Sequence, residues 1–262
     1  MLRQQTILTP ITARPHALMQ IATTPPAPPP APPSLLPQAA LSSRQADKLA
    51  QIARLDHFAP GDYLFHVGQP VQALFNIISG VAKLIAEPPH HRPVVIGFAF
   101  SQDRLGQFSP PTYTCSAQAI TQLSAYSLPH DRLNHLLTAD SSLHRRLLSQ
   151  FCADVRARQA HLLTRRAPPP QRIAAFLLCL HERTAPHPQD PTLLIIPMRR
   201  IDIADFLALS TASLRRILGW FQTSQWIEHL SAHRIRILNP QALTRLAAGS
   251  PPNPHPTQGA TS

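Results

Sequence analysis

The chain has 262 residues, with 24 Lys+Arg against 13 Asp+Glu and a formal charge of +11. That balance suits a polyanionic partner, nucleic acid or an acidic membrane surface; no run approaches a membrane-spanning helix, and no apolar h-region follows Arg3, Ile7 and Leu8, so a cytoplasmic protein without a signal peptide is expected. Cys115, Cys152 and Cys179 are far apart and show no CxxC spacing, which argues against a disulfide framework or a metal site and for ordinary, mostly buried thiols.

All basic residues except Lys48 and Lys83 are arginine. The bias favours planar, forked contacts to phosphate and guanine, and a GC-rich genome would produce it as well. Of the 30 prolines, many fall in TTPPAPPPAPPSLLP at 23–37. This segment cannot build helix or sheet ladders and reads as an extended leader, either a disordered extension or a recruitment motif for a proline-binding domain.

A short amphipathic helix is expected from Leu41 to Arg54, with Leu49 and Ile52 inward. The period then changes to two. FAPGDYLFHVGQP reads as short strands with turns at Pro60-Gly61 and Gly68-Gln69. Leu74–Ile78 and Val81–Ala86 read as a hairpin around Ser79-Gly80. Val94–Phe100 and Gln118–Ser127 add further strands, so a small antiparallel barrel or sandwich is expected. A helical region runs from about His130 to Arg166. Leu148, Cys152, Val155 and Leu162 step by 4, 3 and 7, with Leu143, Leu147 and Phe151 extending the stripe. This is a heptad-like seam for a second copy of the chain, or a helix packed on its own barrel.

Pro168-Pro169-Pro170 ends that region. Gln171–Arg183 is the next helix, with Ile173, Phe176, Leu177 and Leu180 inward, and a strand at Leu193–Pro197 follows. In IDIADFLALSTASLRRILGWFQTSQWI, Ile203, Phe206 and Leu207 form one buried face, and Ala204 permits a close helix crossing. Leu209 and Ser210 make a turn, with Ser210 or Thr211 as the cap. Leu214, Ile217, Leu218 and Phe221 form a second buried face, leaving Thr211, Ala212, Ser213, Arg215 and Arg216 outward. The pattern fits a DNA-binding helix-turn-helix, and on spacing alone it also fits an ordinary helical hairpin. Strands at Trp226–Leu230 and Arg234–Leu238 around Ser231-Ala232-His233 would add a wing.

Barrel, long helix and winged helix-turn-helix in this order resemble the Crp/Fnr superfamily of transcription regulators, over about Leu41 to Leu246. FAPGDYLFHVGQPVQALFNIISGVAKL resembles the family's glycine-punctuated barrel opening, with Gly61, Gly68 and Gly80 in turn conformations. RIDIADFLALSTASLRRILGWFQTSQWI resembles the Fnr and FixK branch. The resemblance implies an α+β fold with an antiparallel cyclic-nucleotide-binding-like β-barrel at 41–130, a dimerisation helix at 131–167 and a winged helix-turn-helix at 168–248. Disordered segments at 1–40 and 249–262 would flank them. The implied partners are double-stranded DNA, a second copy of the chain and RNA polymerase.

The family's ligands are not matched. In DRLGQFSPPTYTCSAQAI, Gly106 precedes Gln107 rather than Glu, and no arginine lies between Gly106 and Arg132 to neutralise a cyclic phosphate. No cysteine precedes Cys115, and Tyr126 stands where the Fnr type has its barrel cysteine, so no iron–sulfur cluster is expected. The branch left is FixK-like, without cofactor. Cys115 reads as a redox-sensitive thiol or an inert one. His90-His91 reads as a solvated turn or a contact to haem or metal. No Ser/His/Asp order, metal-ligand spacing or phosphate loop suggests an enzyme.

In the family's recognition helix, three positions map onto Ala212, Arg215 and Arg216. Arg216 corresponds to the guanine-reading arginine, making a forked contact to O6 and N7. Ala212 replaces a glutamate and can touch a thymine methyl, and Arg215 stands where relatives carry Ser or Gly. The half-site is therefore expected to differ from TTGAT or TGTGA at one or two positions. Ser210, Thr211 and Ser213 are placed for phosphate contacts. The rival reading is a ligand- or redox-sensing scaffold with a vestigial helix-turn-helix.

Overall fold

The computed structural model describes residues 42–106, 111–149, 152, 166–184 and 189–249. The Pro-rich leader, the tail after Gly249, Gln107, Phe151, Val155 and Leu162 lie outside the described residues.

Helix α1 (Ser43–Ile52) opens on a capping box: Ser42 Oγ accepts from the Gln45 amide, and the Gln45 side chain accepts from the Ser42 amide. Its buried residues are Leu49 and Gln45, and Ile52 packs partly buried against the same core. Arg54 does not end this helix as expected; it begins β1 (Arg54–Phe58). Seven more strands follow: β2 (Tyr63–Phe65), β3 (Ala73–Ser79), β4 (Ala82–Ala86), β5 (Val94–Ala99), β6 (Arg104–Leu105), β7 (Ser116–Ala119) and β8 (Leu123–Pro129). They form two four-stranded antiparallel sheets, ordered β1-β8-β3-β6 and β2-β7-β4-β5. The inward residues, among them Leu64, Phe65, Phe75, Ile77, Leu84, Leu105 and Tyr113, fill one core.

The hairpin expected around Ser79-Gly80 is not formed. β3 pairs with β6 and β8, whereas β4 pairs with β5 and β7, so the two strands lie in different sheets. Gly80 is where the chain crosses between them. Its φ is +92°, and a side chain there would meet Leu123 Cα at 2.8 Å. Gly61 and Gly68 also take positive φ. The strand expected over Gln118–Ser127 is likewise divided: β7 belongs to one sheet and β8 to the other.

The helical region begins at α2 (His130–Ala139) and is interrupted at Asp140. Asp140 Oδ1 accepts from the Leu143 amide and the Ser142 hydroxyl, which starts α3, helical over 141–149. Leu133, Leu137, Leu143 and Leu147 pack with Leu49 of α1 and with Leu74 and Leu128 of the sheet. Both helices are thereby fixed to the sheet domain.

The C-terminal part contains α4 (Pro169–Arg183), β9 (Leu193–Ile195), α5 (Arg200–Phe206), α6 (Thr211–Thr223), β10 (Ile227–Ser231), β11 (Arg234–Ile237) and α7 (Pro240–Ala247). Pro169 suits the first turn of α4, where no amide donor is required. The strands form a three-stranded sheet, β10-β11-β9, the wing expected from the sequence. Ile173, Leu177, Leu194, Ile203, Ala204, Leu214, Leu218, Phe221 and Ile235 share a core. That core does not stop at the domain boundary. Phe100 belongs to it, and Val81, Phe98 and Ile120 of the sheet domain pack on it. All the described residues lie in one compact unit, Pro33–Ser262. Among them, no helix is long and apolar enough to cross a membrane.

Candidate nucleic-acid interface

The first helix of the motif, α5, ends in a Schellman turn. The Leu209 amide reaches the Ala204 carbonyl at 2.8 Å, and the Ala208 amide reaches the Asp205 carbonyl at 3.0 Å. Such turns need a left-handed residue, usually glycine. Here it is Ala208, at φ +52°. Arg172 of α4 steadies the turn by donating through Nη1 to the Leu207 carbonyl at 2.6 Å. The end of α6 repeats the device: the Trp226 amide reaches the Phe221 carbonyl at 2.9 Å, and Gln225 takes φ +60°. Neither turn carries the glycine that announces one in a sequence.

Ser210 is the N-cap of α6, settling the choice between Ser210 and Thr211. Its Oγ accepts from the Ser213 amide at 3.0 Å, and its hydroxyl donates to Ser213 Oγ at 2.9 Å. The Ser210 proton is therefore engaged within the cap. The amides of Thr211 and Ala212, in the first turn, have no intrahelical acceptor and mark the positive end of the helix dipole.

Leu214, Ile217, Leu218 and Phe221 are buried as the spacing predicts. Thr211, Ala212, Arg215 and Arg216 are exposed, and Ser213 is half-buried. Neither Arg215 nor Arg216 takes part in an ion pair among the described residues. This contrasts with Arg92, Arg183, Arg199 and Arg236, each paired with a carboxylate. The helix thus presents two uncompensated guanidinium groups beside its positive N-terminus.

The wing lies close by. Arg236 on β11 bridges Asp190 and Glu228, at 3.0 and 2.6 Å, while Arg234 is exposed. His229 on β10 has its pKa pushed down by burial and by the charge of Arg200, partly offset by a hydrogen bond to the Leu218 backbone. It therefore favours the neutral form in the wing.

The expected seam divides. Leu143 and Leu147 are fully used inside the chain, whereas Leu148 is 53 % exposed and Cys152 is exposed too. The single broad stripe is therefore two faces, one on the sheet and one outward. Cys152 also corrects the expectation of mostly buried thiols. Cys115 and Cys179 are half-buried, and burial raises the Cys179 pKa. Tyr126 packs at the edge of the α1–α3 core. His90 and His91 are exposed in the β4–β5 turn, and no group of three or more metal-ligating side chains occurs among the described residues.

Sequence reasoning missed the contacts that hold the helix-turn-helix to the sheet domain. Asp202 of α5 accepts from Arg199 Nε and Nη2 at 3.0 and 3.1 Å and pairs with Lys83 Nζ of β4 at 3.4 Å. Burial raises the Asp202 pKa, but the Arg199 hydrogen bond and the charges of Lys83 and Arg199 outweigh it and hold the carboxyl below the usual range. Asp205, three residues on, receives a fork from Arg92, with contacts of 2.6 and 2.9 Å. The same junction carries an aromatic cluster in which Phe98 meets Phe206 at 5.3 Å and Phe176 at 6.2 Å.

Residues 55–140 match the cyclic nucleotide-binding domain family, and residues 171–246 match the Crp-like helix-turn-helix domain family. The chain is 26 % identical to the transcriptional activator protein FnrA of Stutzerimonas stutzeri over 215 residues, covering 80 % of this chain and 88 % of that one. It is 25 % identical to the nitrogen fixation regulation protein FixK of Bradyrhizobium diazoefficiens over 211 residues, covering 80 % and 89 %. The structure of FixK2 from Bradyrhizobium japonicum superposes with a TM-score of 0.68 at 22 % identity, covering 74 % of this chain and 97 % of that one. A sheet domain of the cyclic-nucleotide-binding type joined to a helix-turn-helix with an open arginine face places the chain in the Crp/Fnr family of DNA-binding transcription regulators.

Proposed function

We propose that the protein binds a two-fold symmetric DNA site as a homodimer and controls transcription initiation together with RNA polymerase in the cytoplasm, without catalytic activity. The pair Arg215 and Arg216, exposed on a capped helix and uncompensated by any carboxylate among the described residues, carries this reading. Arg216 makes the forked contact to guanine O6 and N7, Arg215 reads an adjacent position, and Ala212 meets a thymine methyl. Thr211 and Ser213 hydroxyls contact phosphate, with Ser210 holding the cap behind them. Leu148, Cys152, Val155 and Leu162 form the dimer seam, which sets the two recognition helices about one DNA turn apart, roughly 34 Å. Activation is the favoured outcome, since FnrA is named a transcriptional activator.

The experiment is selection of duplexes from a random pool, followed by anisotropy titration of the wild type and Arg216→Ala. The substitution is expected to cost about 1–3 kcal/mol and to relax one base position. Unchanged affinity and unchanged base preference would sink the docking. Absence of binding to any duplex would favour a scaffold with a vestigial motif.

A further inference from the structure

Two carboxylates of α5, Asp202 and Asp205, stand one turn apart. Each is held by a cation from the sheet domain: Lys83 on β4, and Arg92 in the β4–β5 turn. β4 lies between β7 and β5, so Lys83 stands on an inner strand whose backbone is fixed on both sides. A third pair runs the other way, from Arg183 of α4 to Asp103 at 2.5 Å, with the Arg183 guanidinium 5.4 Å from the Phe100 ring centroid.

These pairs are poor candidates for stability. An exposed fork contributes little, and a buried ion pair is close to neutral against an apolar replacement of similar volume. What they add is direction. The aromatic cluster of Phe98, Phe176 and Phe206 holds the surfaces together but lets them slide, whereas a two-point fork and a buried ammonium set the angle.

α5 cannot move without α6. The Schellman turn, the Arg172 contact and the shared core of Ile203, Ala204, Leu207, Leu214 and Leu218 make one rigid pair. At the other end, α3 is fixed to the sheet through Leu143 and Leu147 and turns Leu148 outward. A continuous rigid path therefore runs from the seam through the sheet and the two ion pairs to the recognition helix.

We propose that Lys83 and Arg92 are positioning residues for DNA recognition: by holding Asp202 and Asp205 they fix the separation of the two recognition helices, making the dimer selective for half-site spacing. This rests on the dimer reading of the proposed function. Neither residue touches DNA.

The test uses the full chain and the half-site that the wild type selects from a random pool. Binding is measured to duplexes with one half-site, and to duplexes with two half-sites at the optimal spacing and one or two base pairs either side. Arg92→Ala and Lys83→Met are compared with the wild type and with the exchanged pair Arg92→Asp/Asp205→Arg. The single substitutions are expected to keep single-half-site affinity within about twofold, to lose about tenfold at the optimal spacing, and to flatten the spacing profile. The exchanged pair restores the profile. A wild-type optimum that persists unchanged in both single variants would overturn the inference alone. So would an equal loss on one half-site and two, which marks a folding defect. A wild type indifferent to spacing would overturn the dimer reading and this inference with it.

Discussion

Ala208 shows what a single backbone angle costs. An L-residue with a Cβ at φ +52° sits in the left-handed region, which penalises every residue but glycine. The turn between α5 and α6 nevertheless requires that angle, because both Schellman hydrogen bonds depend on it. Ala208→Gly removes the steric penalty and adds some chain entropy to the unfolded state. The balance is expected to favour the variant by about 0.5–1 kcal/mol. Ala208 is exposed, so no packing is lost. A thermal melt should show a rise in Tm of roughly 2 °C; a fall would mean that the methyl group makes a contact the turn needs.

At the level of elements, what could be read in advance was local. The buried faces of α4 and α6, the wing and the positive-φ glycines follow from residues within a few positions of one another. Partner choice between strands is not local, which is why Ser79-Gly80 looked like a hairpin: the dipeptide specifies a turn but not the sheet to which the next strand belongs. The Schellman turns were hidden because Ala208 and Gln225 stand where glycine would signal them. Lys83–Asp202 and Arg92–Asp205 join residues 119 and 113 positions apart, beyond any spacing rule. A heptad-like stripe does not say which of its residues serve the chain itself: Leu143 and Leu147 are buried, whereas Leu148 is exposed. The division of α3 makes this testable. On the proposed dimer, Leu148→Glu should shift sedimentation from dimer to monomer with little change in melting. Leu143→Ala, on the buried face, should cost about 2–5 kcal/mol in a denaturant titration. A dimer that survives Leu148→Glu would remove this residue from the interface.

For the whole molecule, the response to acid follows from where its carboxylates sit. Asp140 is held well below the usual range by hydrogen bonds from Ser142, the Leu143 amide and Lys48. Asp190 is lowered chiefly by hydrogen bonds from Thr192 and Arg236, and Asp202 by the contacts already described. Each folded pKa lies below its unfolded value, so the stabilisation is complete above that value, about 3.9, and is lost as pH falls through the folded ones. The three are spread over the α1–α3 cap, the wing and the domain junction, so all three regions weaken together. His229 adds an earlier decline. Its pKa is depressed, so stability falls as pH drops from about 6.5 towards the folded value. Denaturant midpoints measured from pH 7 to pH 2 should decline in these two stages, and a His229→Gln variant should lack the first. A midpoint independent of pH across that range would contradict both assignments.

The burial of Lys83 has a chemical consequence of another kind. Lys48 and Lys83 are the chain's only lysines. The Lys83 side chain is 11 % exposed beneath Asp202, whereas that of Lys48 is 34 % exposed. For acylating reagents or lysine-modifying enzymes, the folded protein therefore offers one accessible side-chain amine. The second becomes available only when the helix-turn-helix lifts from the sheet, so acylation of Lys83 would record that opening.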